Sequence, residues 1–139
     1  AYWPTRIERL RDEASIRFVE SALYLVALGP RHDGYDVLAN THIDREGAKA
    51  LADAAEDGWR AILGRDLRGF GDAFRRSFEA QIAMFPDMVN QAVFDLIDQY
   101  RDQALGWKLS GAGGGGYLIV VAEKPIANAI RVVARRVDD

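Results

Sequence analysis

The chain has no cysteine, two histidines, four prolines, no excess of basic charge and no long apolar run. Each shortage removes a class of explanation. Without cysteine there can be neither disulfides nor a thiolate metal site, which fits a cytoplasmic protein. Lysine and arginine number 18 against 21 aspartates and glutamates, a net charge of −3. The basic patch or stripe that marks a nucleic-acid binder is therefore not expected. No apolar stretch approaches the ~20 residues that span a bilayer; the longest, Ala22 to Leu28, is strand-sized, so no membrane partner is expected. His32 and His42 stand apart with no acidic cluster beside them, which does not favour a metal site.

What remains is a chain of 139 residues, 49% hydrophobic and 28% charged, suited to one domain with a real core. It opens on Ala1-Tyr2-Trp3-Pro4 and stops at Val137-Asp138-Asp139, and is expected to be a fragment of a longer chain. From Ile16 to Leu28 the β-branched and aromatic residues predict one long strand or two, with Glu20-Ser21 as a bulge or break. Gly29 to Gly34 is a turn by composition, and Asp33 and Asp36 read as turn formers. Thr41 is the expected N-cap of a helix, with Asp44 completing a partial capping box. Ala48, Leu51, Ala52, Ala55, Trp59, Ile62 and Leu63 recur at helical spacing, and Gly64 is placed to stop that helix.

A second helical stripe runs from Leu67 through Phe70, Phe74, Phe78 and Ile82 to Phe85, ended by Pro86. A third follows from Val89 to Tyr100. Three successive amphipathic helices should pack together and against a sheet, giving an α+β domain. The aromatic stripe of the second reads as core. Strands are predicted at Trp107 to Leu109 and Tyr117 to Val121. Pro125 is expected to open a last helix with Ile126, Ala127, Ile130, Val133 and Ala134 inward, and Arg135-Arg136 to complement the negative end of its dipole.

Between the two late strands lies Lys108-Leu109-Ser110-Gly111-Ala112-Gly113-Gly114-Gly115-Gly116-Tyr117, which holds five of the chain's 13 glycines. Glycine is the most costly residue to order, so such a run fits a backbone that turns sharply or closely approaches something. An anion cradled by successive N–H groups is one such partner; a flexible hairpin loop is the plainer explanation. The run satisfies G-x-G-x-x-G at Gly111, Gly113 and Gly116, but the dinucleotide fingerprint needs a helix immediately after it, and here a strand follows. The phosphate-loop pattern fails too, because Tyr117-Leu118 stand where Lys and Ser or Thr are required.

The pattern Lys-x-Ser-Gly-Ala-Gly-Gly-Gly-Gly-aromatic leading into a strand, residues 108–117, resembles the third signature motif of the GHMP kinases. The likeness is greatest to the branch of sugar and heptose-7-phosphate kinases. The helices before the loop are also similar to that family's C-terminal domain. The resemblance implies an α+β fold, GHMP kinase C-terminal-like and ferredoxin-like, with an antiparallel sheet packed on a layer of amphipathic helices. It implies an ATP-dependent kinase acting on a hydroxyl of a sugar or sugar phosphate, with Mg2+ as companion of ATP. The family's N-terminal Gly-Leu-Gly-Ser-Ser-type loop is not matched anywhere in residues 1–139, nor is a catalytic base placed here. The chain is therefore expected to be the C-terminal domain alone, partnered by its own N-terminal kinase domain and inactive by itself.

Phosphoryl transfer asks for positioning and charge stabilisation. The phosphate or substrate candidates are accordingly Lys108, Ser110, Gly111, Ala112, Gly113, Gly114, Gly115 and Gly116, with the N–H groups of Gly113 to Gly116 aimed at the transferring charge. Lys108 would supply positive charge, against the alternative of a solvated lysine. Ser110 would bond a phosphate oxygen, against the alternative of capping its own turn. Gln81, Phe85 and Pro86 fall where related sugar kinases bring a helix end toward the substrate. Two rival readings stay open: a non-catalytic anion-binding or regulatory module, and a dimerisation domain.

Overall fold

A computed structural model describes residues 3–30 and 35–136. His32 and Asp33 lie outside the described residues. The order is α1 (Glu13–Ala22), β1 (Leu23–Gly29), α2 (Arg45–Gly64), α3 (Leu67–Met84), a turn of 3₁₀ helix (Pro86–Met88), α4 (Gln91–Tyr100), β2 (Gly106–Leu109), β3 (Gly116–Val121) and β4 (Ile130–Arg131). The strands form one antiparallel sheet in the order β2-β3-β1-β4. The expected α+β architecture is present.

The three helical stripes form as their periodicity predicts, and each starts on a side-chain cap. Asp44 accepts from the Gly47 N–H at 2.6 Å, Asp66 from Gly69 at 3.0 Å and Asn90 from Val93 at 3.1 Å. Each satisfies one of the donors that a helix start leaves orphaned. The cap of α2 is thus Asp44 and not Thr41, three residues earlier in the sequence. At its other end Gly64 is still helical, and the left-handed cap is Arg65 with φ 53°, whose N–H returns to the Ala61 and Ile62 carbonyls.

Two expectations fail. The stretch from Ile16 to Ala22 is the body of helix α1, not a strand. Asp12 caps it by accepting from the Ser15 N–H at 2.9 Å. Ser15, Phe18 and Ala22 then share a helical face, with Phe18 edge-on to Phe70 at 5.7 Å; the period of about 3.6 wins over β propensity once that face has a partner. The last helix does not form. Asn128 is left-handed at φ 64°, which no helix interior accommodates. Ile130 and Arg131 instead pair with Leu25 and Tyr24, which satisfies backbone groups that β1 would otherwise leave unpaired at the sheet edge. Arg135 and Arg136 therefore meet no helix dipole; Arg136 bonds Glu13 at 2.7 Å and Glu20 at 2.6 Å instead.

Register separates the two faces of the sheet. Leu109, Leu118 and Val26 lie across from one another, as do Trp107, Val120 and Tyr24. That face packs on Val93 and Ile97 of α4, on Met88 and on Phe78 of α3. On the opposite face Val121 and Leu23 meet Ala22, Ala61 and Phe70. Here α3 presses directly on β2: a Cβ at Gly106 would lie 1.8 Å from the Gly71 carbonyl oxygen. Only paired glycines permit that approach. The contact fixes the strand that leads into the glycine run against the helix that ends beside it.

Candidate functional site

The glycine run is the connection between β2 and β3. The Ser110 N–H donates to the Tyr117 carbonyl at 3.0 Å and closes its base. Gly111, Gly113, Gly114 and Gly116 have φ between 72° and 88°, and Gly115 has φ 153°. This region costs an L side chain about 1–2 kcal/mol per residue, so the glycines are required by the backbone path itself.

The loop is also held from outside. Tyr35 Oη donates to the Ala112 carbonyl at 2.7 Å. A Cβ at Gly114 would lie 2.7 Å from the Tyr35 ring. The Gly114 N–H donates to the Met88 carbonyl at 3.2 Å, and a Cβ at Gly113 would lie 2.8 Å from that same oxygen. The close approach foreseen at the run is thus made, at Gly113 and Gly114, by this chain's own Met88 and Tyr35. The Gly114 N–H, expected to face the transferring charge, donates to Met88 within the chain. The Gly115 N–H and the Ser110 hydroxyl take part in no hydrogen bond among the described residues, and Gly115 is buried.

Lys108 is half-buried and tied to α3. Its Nζ donates to Ser77 Oγ at 3.1 Å and to Gln81 Oε1 at 3.0 Å, both on α3. Among the described residues no carboxylate pairs with it, and burial pushes its ammonium below the ordinary lysine range. A half-buried cation held by two neutral acceptors retains attraction for an anion. The structure so brings together Lys108 and Gln81, and sets Met88, two residues after Pro86, against the loop. Phe85 packs into the core beside them, whereas Pro86 is exposed. His42 is exposed, and its backbone N–H donates to the Met84 carbonyl at 2.8 Å. Asp36 forms a turn, accepting from the Leu38 N–H at 2.9 Å.

Sequence reasoning missed Tyr35, Met88 and Ser77. Tyr35 and Ala112 are 77 residues apart, and nothing in the composition around either marks the pair. No group of three or more histidine, aspartate or glutamate side chains among the described residues could hold a metal ion. Among them, also, no helix is long and apolar enough to cross a membrane.

Comparison with a family model covers the same stretch. A family model described as "GHMP kinases C terminal" matches residues 50–139, which include α3, the 3₁₀ turn and the whole glycine hairpin. The chain is also 43% identical over 63 residues to an L-fucokinase/L-fucose-1-P guanylyltransferase of Bacteroides fragilis. That match takes in 45% of this chain and 6% of that much longer protein.

Proposed function

Because this chain belongs to the GHMP kinase family, as a domain of its C-terminal type, we propose that it is the C-terminal domain of an ATP-dependent kinase that phosphorylates a hydroxyl of a sugar or sugar phosphate. The observation that carries the reading is the hairpin 110–115, a left-handed glycine loop inside the matched region, flanked by a half-buried lysine that meets no carboxylate among the described residues. The loop would close on the transferring phosphate or the substrate. Gly115 would offer its N–H, Ser110 its hydroxyl and Lys108 its charge, while Gly111, Ala112, Gly113 and Gly116 shape the path and Gly114 anchors it.

Donors fixed before the reaction stabilise developing charge without reorganising. The pinned loop and the Lys108 cradle meet that requirement. ATP would be held chiefly by an N-terminal domain of the full-length protein, together with the ligands of Mg2+, and the domain alone would be inactive. The similarity to a protein named as a fucokinase favours a sugar as acceptor.

The test is transfer of the γ-phosphate of ATP to a panel of sugars and sugar phosphates by the full-length protein. Transfer to a sugar hydroxyl is expected, with a loss of ~10²-fold in Lys108→Met, the size seen when one charge-stabilising donor is removed. No transfer to any sugar would overturn the reading.

A further inference from the structure

We propose that Tyr35 is a positioning residue for the glycine loop, acting through the Ala112–Gly113 peptide. The inference rests on the reading of the loop as part of a phosphoryl-transfer site. A trans peptide is planar, so its C=O and N–H point in opposite directions along one rigid unit. Whatever fixes the Ala112 carbonyl therefore fixes the plane of the Ala112–Gly113 unit. Tyr35 Oη does so with a 2.7 Å hydrogen bond.

The next peptide is fixed from another side. The Gly114 N–H donates to the Met88 carbonyl, which sets the Gly113–Gly114 plane. Two consecutive peptide planes are thus held by groups outside the loop, one from the segment after β1 and one from the 3₁₀ turn after α3. The residues on either side need this support. Gly113 and Gly114 both have positive φ, at 77° and 72°, and glycine there resists no rotation of its own.

The Tyr35 ring adds a steric stop. It lies where a Gly114 Cβ would be, at 2.7 Å, so the loop cannot shift toward it. The hydroxyl draws Ala112 in and the ring keeps Gly114 out, which selects one conformation of the four-glycine stretch. Gly115, buried and next in the chain, follows directly on the two fixed planes, so the Tyr35 contacts define where its peptide starts and the ring beside Gly114 limits how far it can turn. Tyr35 itself touches no reacting atom. It sets the direction of the groups that do.

Tyr35→Phe keeps the ring and removes only the hydroxyl, so the steric stop and the packing remain. In the full-length protein, amide hydrogen exchange at residues 110–116 reads the loop directly and needs no activity. Faster exchange there, with unchanged melting temperature, is expected. kcat should fall on the order of ten- to a hundredfold, the scale of a sub-ångström to 1 Å misplacement, with KM for the sugar unchanged. Unchanged loop exchange would overturn the positioning role itself. Faster exchange with wild-type kcat would keep the tether but overturn its part in the reaction, and with it the reading of the loop as catalytic.

Discussion

The two ends of β1 are held by opposite kinds of contact. Where β1 ends, at Gly29 beside Gly116, the glycine hairpin is fixed by neutral hydrogen bonds from Tyr35 and to Met88, and by approaches that leave no room for a Cβ. Where β1 begins, the segment 134–136 is tied to α1 by charge. Arg136 bridges Glu13 and Glu20, and the Ala134 N–H donates to Glu20 at 2.7 Å. The first arrangement is short-ranged and geometric, so salt and pH have little to act on. The second responds to both. A loop that must present fixed donors to a charged ligand is better built the first way, because an ion pair beside it would compete for that ligand.

The comparison breaks most visibly at Gly114. Gly114→Val puts a β-branched side chain at φ 72° and into the Tyr35 ring. The strain alone is about 1–3 kcal/mol, and the Met88 and Tyr35 contacts cannot both survive it. Phosphoryl transfer by the full-length protein should fall ~10²-fold or more, while the remainder of the sheet keeps its exchange protection. Wild-type turnover would reduce the loop to a structural turn.

A smaller effect is expected at the charged end. The Arg136 guanidinium, and next the Ala134 N–H, hold the Glu20 carboxyl down at about 2. A carboxylate depressed below its ordinary value of 4.5 stabilises the folded arrangement above that pH. The contribution is lost as pH falls from about 4.5 through about 2. Exchange at residues 132–136, followed down that range, should quicken before exchange at 111–116. Glu20→Gln should remove the difference. Simultaneous loosening of both ends would mean that they are one unit. Smallest is the effect of salt. At 1 M, where screening acts within about 3 Å, segment 132–136 should loosen slightly and the hairpin not at all.

Legibility in the sequence tracked the range of the forces. α2, α3 and α4 were readable because periodicity and capping act within a few residues, and the failure of the dinucleotide and phosphate-loop motifs was readable from the apolar strand that begins at Gly116. α1 was misread because Ile16, Phe18 and Val19 carry strand propensity, while the deciding contact is with Phe70, 52 residues on from Phe18. The Asp12-x-x-Ser15 cap was a local signal that could have found it. The segment after Pro125 has helical spacing, but its outcome rests on a left-handed Asn128 and on an open edge of β1, neither of which spacing encodes.

The site divides in the same way. The glycines and Lys108 stood out by composition. Their partners Tyr35, Met88 and Ser77 did not, since they reach them through the fold, and Gln81 was marked only by resemblance. Lys108 in particular is drawn toward α3 by Ser77 and Gln81, which a reading of it as a surface lysine could not anticipate.

Whether the hairpin meets the phosphate is tested most directly by the amide chemical shifts of Gly111 to Gly116 in the full-length protein, recorded with and without ATP and a sugar acceptor. The largest shift is expected at Gly115, whose N–H has no partner among the described residues, and little change at Gly114, whose N–H is committed to Met88. Bound nucleotide and acceptor with all five glycine amides unmoved would contradict a hairpin that closes on the transferring group.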